Sequence, residues 1–586
     1  MNNLFPPRSQ MENVAQIFFS YEKCNYATTS KVVAPFAAND AQEEAKLEKL
    51  PPRPVTVLNV LDRDIPNTSW LLAKRAHMLA EDDVFTAEFF SCVLLSNAVH
   101  LPAAVAGSEV LLGDWSSSSI YAGSTRVPLR DGPYSAIGSA LYKAYRLYAD
   151  PQDAFMFGVR DDEDEPGGFI QSHGSAIPVP SRLYSESPCD AIPLSGKCFG
   201  VKDVYDLKGT PTSASYRDYQ SFSGKASATA EMVQRLIRAG GVVVGKTKTS
   251  QFASGEYACD WVDYLCPFNP RGNGYLDPDR SSNGSAAGLA AYEWLDNTIG
   301  TDTLGSIVGP AACNGVFAIR PTHGISDMEG VVPVSKLLDT AGCFSRSIVD
   351  LQTLSSMWYS SAFIVDLERA LNISTSNFSI TEAWDDEAPA PITRPIQDFL
   401  QTTLAHIQLY DCYRNNAKWR TSFKEQMGRE PHANPMIRFK WGLGSKLSLD
   451  DYETACEEKS VYRAFLREKV FKENTVLILP CGPPTARYRD VYDLPPEKRE
   501  NNLQEFGFLR DLYAFLGGLP MVIVPVGQVL ARSSVTGNMV YEPVSISLVG
   551  APGMDCKLID LAATVMSASG HPMEVKVGKS LYETLD

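Results

Sequence analysis

Residues 281–306 read SSNGSAAGLAAYEWLDNTIGTDTLGS, a serine pair and a distant serine set among small residues. Serine becomes a nucleophile when a neighbouring base takes its proton, and in the familiar design that base is histidine, with the serine on a G-x-S-x-G turn. Neither feature occurs in this stretch. Two other side chains can serve near neutral pH: a carboxylate, or a lysine whose pKa burial has lowered. The segment 196–206, GKCFGVKDVYD, supplies such a lysine. Lys202 lies in the strand-like run 199–204, and strand alternation turns it to the face opposite Val201 and Asp203.

A lysine in a short strand is ordinarily solvated, and Ser/Gly/Thr/Asp runs are ordinarily turns and caps. The company these residues keep argues otherwise. V-K-D at 201–203, S-S-N-G-S at 281–285, G-T-D-T-L-G-S at 300–306 and F-A-I-R-P-T-H-G at 317–324 stand in the same order as in the amidase signature family, which the chain resembles. A-G-G-V-V-V-G-K-T-K at 239–248, P-F-N-P at 267–270 and S-I-S-L-V-G-A-P-G at 545–553 extend the resemblance from about residue 180 to the C-terminus.

That resemblance implies an α/β amidase signature fold, a mixed β-sheet flanked by helices on both faces. It implies a triad with Ser306 as nucleophile, Ser281 as a bridging serine on a cis peptide and Lys202 as the ultimate base. An oxyanion hole would come from the backbone N–H groups of Thr303, Leu304, Gly305 and Ser306, with Ser282 and Asp302 in the surrounding polar shell. The implied reaction is cleavage of a carboxamide C–N bond in a linear amide through an acyl-enzyme, with an ester as a second substrate class. An acyltransferase that hands the acyl group to an amine, and a catalytically silent binding protein of the same fold, are the alternatives. No metal or organic cofactor is implied. The N-terminal module, D-W-V-D at 260–263 and Y-E-W-L-D at 292–296 are most similar to fungal members with an N-terminal extension.

The pattern also departs from the family's. Leu304, Asp279, Arg280 and Asn283 stand where glycines are usual, and Val308 stands where an arginine commonly follows the nucleophile. A branched side chain at 304 narrows the acyl pocket or twists the N–H donors if that position needs positive φ. Without an arginine at 308, a buried Asp302 requires another cation, and Arg280 is the expected substitute. One extra residue between the serine sites is placed in the 294–297 loop.

The elements that must position these residues follow from periodicity. Runs at 241–245, 475–479, 521–524 and 544–548 read as buried strands alternating with helices. Residues 227–240 read as a helix capped by Ser227, striped by Met232, Val233, Leu236 and Ile237, and ended by Gly240. Residues 350–474 are polar and helix-like, suited to shaping a pocket mouth. The expected organisation is an irregular lead-in over 1–54, a small α+β module over 55–160, a charged and Gly/Pro-rich linker over 161–180, and the catalytic domain over 181–586. Within the module, strands are expected at 55–61, 88–95 and 109–112, and a helix at 134–148.

At 586 residues the chain exceeds what one core usually serves. A charge of −16 with no basic stripe argues against nucleic acid and anionic membranes. The acidic run 161–165 reads as a solvated loop. Prolines and glycines break the apolar stretch 513–531 into helix end, turn and strand rather than a membrane span. Twelve cysteines and seven histidines show no metal-ligand spacing. The expected partner is a small-molecule amide or ester substrate in a cytoplasmic setting; the oligomeric state is open, a homodimer included.

Overall fold

The computed structural model describes residues 17–21, 24–35, 51–61, 64–98, 119–123, 129–172, 174–358, 378–389, 391–471, 475–482, 487–492, 494–499 and 512–583. It divides into two units: 1–150, 157–198 and 237–245 form the first, and 151–156, 199–236 and 246–586 the second.

The first unit is built on a sheet ordered Phe18–Tyr21, Cys24–Thr28, Ala140–Tyr148, Gly132–Ile137, Arg53–Asn59, Cys92–Ser96, Ser119–Gly123. Several expectations are corrected here. The lead-in contributes two of these strands, because Phe19 and Tyr26 stack at 5.5 Å and Tyr26 meets Phe89 edge-on at 5.4 Å, a packing that rewards extended aromatic chain. The helix expected at 134–148 is a hairpin with Ile137 opposite Ala140 and Gly138 at φ 58° in the turn. Its first strand is buried on both faces, which removes the alternation that would have identified it. Residues 88–95 begin as the 3-10 turn Ala87–Ser91 before entering their strand. The strand expected at 109–112 lies outside the described residues, as do 1–16 and 36–50 of the lead-in.

The stretch 161–180 is folded rather than an open linker. Asp162 accepts from the backbone of Asp164 and Glu165, closing the acidic run into a turn, and Ile177–Pro180 pairs with Ala140–Tyr148. The helix Thr68–Glu81 is capped by the Asn67 side chain, which accepts from the Trp70 N–H at 2.9 Å.

The strands that follow in the chain are β1 (Cys198–Lys202), β2 (Val242–Thr247, which enters the second unit only at Lys246), β3 (Asn297–Asp302), β4 (Phe317–Arg320), β5 (Thr340–Ser345), β6 (Val476–Cys481), β7 (Met521–Arg532) and β8 (Met539–Gly550). Within the second unit the strand order is β1-β3-β5-β4-β7-β8-β6. β1 and β3 are parallel, with Phe199 opposite Asn297, and every pairing from β3 to β6 is antiparallel. The sheet is mixed. Helices α1 (Asn283–Ala291) and α2 (Val308–Asn314) pack together, as do α3 (Ile348–Trp358) and α4 (Asp555–Ser569), and both pairs touch β4 and β5 or their neighbours. Two helical layers explain why β3 and β5 are buried at all six positions. This is the α/β architecture expected.

The helix expected over 227–240 is shorter, Glu231–Arg238, with Met232, Val233 and Leu236 buried as anticipated. Thr229 accepts from the Lys208 N–H and the Ala230 N–H donates to Asp206, so these contacts, not a Ser227 cap, set its start. Residues 380–389 and 391–465 carry a run of helices ending in Leu449–Phe465, whose Ser448 and Asp451 make a capping box. Among the described residues no helix is long and apolar enough to cross a membrane.

Candidate active site

Lys202 is the last residue of β1 and is fully buried. Its amine lies 2.9 Å from Ser281 Oγ, 2.9 Å from Thr301 Oγ1 and 3.2 Å from the Thr301 carbonyl. Burial pulls the amine down to about 7, against the upward pull of the Asp302 and Asp339 carboxylates. The next residue, Asp203, serves another purpose. It forms a buried ion pair with Lys246 at 3.0 Å and accepts from the Ser213 hydroxyl, fixing the end of β1.

Ser281 precedes α1, and the Arg280–Ser281 peptide bond is cis. The Ser282 N–H donates to the Ser306 carbonyl at 3.1 Å, so the two serine segments are joined through the backbone. Ser282 Oγ donates to the Thr301 carbonyl at 3.2 Å. That approach depends on Gly300: a Cβ there would stand 2.7 Å from Ser282 Oγ and 2.9 Å from the Phe344 ring. Ser306 begins the turn into α2, is 8% exposed, and its hydroxyl has no hydrogen-bond partner among the described residues.

Asp302 is the clamp of the turn. Its carboxylate accepts from the N–H groups of Gly305 at 2.8 Å, Ile307 at 2.6 Å and Val308 at 3.3 Å. Its cation is Arg320, at 3.0 Å with both side chains fully buried, and not Arg280. Arg280 instead pairs with Asp279 at 3.5 Å and lies 3.8 Å over the Tyr257 ring. The arginine missing at 308 is therefore replaced from β4, within the F-A-I-R motif that had been read only as a family marker.

The same clamp bears on the N–H groups expected to serve as oxyanion donors. The Gly305 N–H is spent on Asp302, which leaves those of Thr303, Leu304 and Ser306 without a hydrogen bond among the described residues. Gly305 holds φ 100°, a conformation that suits glycine, whereas Leu304 does not have positive φ. Leu304 is thus free of the backbone strain feared for it. Thr303 is fixed through its side chain, donating to Asp339 at 2.6 Å. Asp339 also accepts from the N–H groups of Val334 and Ser335, and burial pushes its carboxyl up to about 6. Thr301, Arg320 and Asp339 were all missed by the sequence reading; only Arg320 carried a signal, as a charged residue inside an apolar strand.

No group of three or more His, Cys, Asp or Glu side chains suited to a metal is present among the described residues. The twelve cysteines are free thiols.

Residues 185–387 match the family model described as Amidase. The chain is 28% identical over 424 residues to Amidase 1 of Oryza sativa subsp. japonica, covering 64% of this chain and 91% of the rice protein. It is 36% identical over 189 residues to Amidase 1 of Arabidopsis thaliana, covering 32% of this chain and 41% of the Arabidopsis protein. A solved amidase structure aligns at TM-score 0.47 and 23% identity over 64% of this chain and 86% of its own. Over residues 185–387 the chain is thus similar to the Amidase family, and the similarity to the rice protein extends over 424 residues.

Proposed function

We propose that the protein is a serine hydrolase that cleaves the C–N bond of a linear carboxamide through an acyl-enzyme on Ser306. The Ser306 hydroxyl attacks the carbonyl carbon as its proton passes to Ser281 Oγ, while the Ser281 proton passes to the Lys202 amine. The negative oxygen of the tetrahedral intermediate is held by the N–H groups of Thr303, Leu304 and Ser306. Collapse breaks the C–N bond, and the relay run in reverse protonates the departing nitrogen. Water then attacks the ester and releases a carboxylic acid, restoring Ser306.

One observation carries this reading: the Lys202 amine is fully buried 2.9 Å from Ser281 Oγ, and burial draws it down to about 7, where its neutral form is populated. Such an amine has two N–H donors and one lone pair. The amine donates to the Thr301 carbonyl, the Thr301 hydroxyl and Ser281 Oγ; in the neutral form the two Thr301 acceptors take its N–H groups and the lone pair is left for the Ser281 proton. Intact-mass analysis after exposure to a fluorophosphonate tests it. Wild type is expected to gain a single adduct and Ser306→Ala none; equal labelling of both proteins would remove Ser306 from its role.

A further inference from the structure

The segment 251–257 carries more unmet hydrogen-bonding capacity than its burial permits. Gln251, Ser254, Glu256 and Asn434 are each at most 2% exposed, and they are already joined to one another. Gln251 Oε1 accepts from the Asn434 N–H at 2.8 Å. Glu256 Oε2 accepts from the Gln251 N–H and from Asn434 Nδ2, both at 3.1 Å. Yet Gln251 Nε2, Ser254 Oγ, Glu256 Oε1 and Asn434 Oδ1 have no partner among the described residues. Buried polar atoms are normally satisfied, so four orphans on one connected cluster mark a place for a ligand or ordered water.

The cluster is tied to the reacting groups at both ends. Asp203, next to Lys202, accepts from the Ala214 N–H at 2.9 Å, and Ala214 accepts from the Phe252 N–H at 3.1 Å. Tyr257, next to Glu256, stacks on Arg280, the neighbour of Ser281. Ala214, Ser215, Phe252 and Ala253 all hold positive φ, from 48° to 52°. Strain of that kind persists where the surroundings over-determine it, typically at functional sites.

The chemistry of the orphans selects the ligand. Gln251 Nε2 only donates and Asn434 Oδ1 only accepts, so the guest must do both. Its charge is constrained too. A charged guest does not meet both demands: an ammonium cannot accept from Gln251 Nε2, a carboxylate cannot donate to Asn434 Oδ1, and either carries a cost of burial. We propose that Gln251, Ser254, Glu256 and Asn434 form a recess for a second, uncut carboxamide of the substrate, so that the enzyme acts on compounds bearing two neutral amide groups. Burial holds the Glu256 carboxyl up at about 8, which keeps it neutral at physiological pH and consistent with an uncharged guest.

This inference rests on the proposed function, and its test separates the two. Three p-nitroanilides share one spacer and end in a primary carboxamide, an isopropyl group or a carboxylate; the series is repeated with one, two and three methylenes. Wild type is expected to favour the carboxamide in kcat/KM by on the order of tenfold, about 1.4 kcal/mol, at one spacer length. Glu256→Leu and Asn434→Ala are expected to bring that ratio toward one. The inactive Ser306→Ala protein, titrated calorimetrically with the same anilides, gives the preference as a ratio of Kd values and needs no turnover. A ratio near one at every length, in turnover and in binding, or a ratio that both variants retain, overturns the recess and leaves the hydrolase reading intact. Retained carboxamide preference in binding with no turnover and no fluorophosphonate adduct does the reverse.

Discussion

Replacing Lys202 by methionine removes the amine while keeping the length of the side chain, so the buried space stays filled. The magnitude follows from the environment of the amine. A lysine with an ordinary pKa of 10.5 is about 0.1% neutral near pH 7.4, whereas one drawn down to about 7 is about 70% neutral, close to a thousandfold more base. General-base catalysis itself contributes about 10²–10⁴ in rate. Fluorophosphonate labelling of Ser306, followed by intact mass against time, should therefore slow by at least about a hundredfold in Lys202→Met. The pH dependence carries a definite sign. The amine must be neutral to accept the proton, so the wild-type rate rises with pH below the amine's folded value of about 7 and levels off above it. The fold responds in the same direction. The folded pKa lies below the unfolded one, so the unfolded chain binds more protons between about 7 and 10.5 and stability rises with pH across that window. In Lys202→Met both the inflection in rate and this stability slope should disappear. A wild-type rate flat from pH 6 to 8, or a variant that keeps the inflection, would refute the assignment of Lys202 as the base.

Two further substitutions probe the turn that carries Ser306. Arg320→Met leaves the fully buried Asp302 without its cation, a loss that costs about 3–5 kcal/mol for a broken buried pair; equilibrium urea denaturation should show a lower midpoint, and an unchanged midpoint would mean that the three N–H donors alone satisfy Asp302. Asp339→Asn keeps one oxygen for Thr303 but gives up the second acceptor that orders Val334 and Ser335. If Thr303 supplies an oxyanion donor, kcat should fall by on the order of tenfold with KM nearly constant, because that contact is made only in the transition state; a rise in KM at constant kcat would place Asp339 in ground-state binding instead.

How much of this was legible depended on whether a feature was local in the chain. Lys202, Ser281 and Ser306 sit in motifs whose small residues are dictated by close backbone approach, as at Gly300, and such approach leaves a trace in sequence. The strand at 521–524 was readable because burial on both faces forces a continuous apolar run, whereas the equally apolar run 475–479 lies in β6, whose residues are half-buried or exposed. In the first unit the same double burial hid the hairpin at 134–148, since without alternation an apolar segment fits either period.

The errors at the site share one cause, which is that charge compensation is not local. Arg280 was expected to serve Asp302 because it is adjacent to a motif, yet its guanidinium is taken by Asp279 and Tyr257, and Arg320 reaches Asp302 from a different strand. Sheet order decides this: β4 lies beyond β5 from β3, and a long, five-donor side chain spans the gap while also donating to the Leu338 and Leu519 carbonyls. The oxyanion set was over-counted for a related reason. A sequence shows that a glycine can aim its N–H freely, but not that a carboxylate three residues earlier has already claimed it. The proposed recess was invisible on the same grounds, because Asn434 joins Gln251 and Glu256 across nearly two hundred residues of chain. A departure from a family's glycine pattern is therefore weak evidence of lost chemistry by itself; what decides is whether the displaced charge and N–H groups find partners elsewhere in the fold, as Asp302 does here.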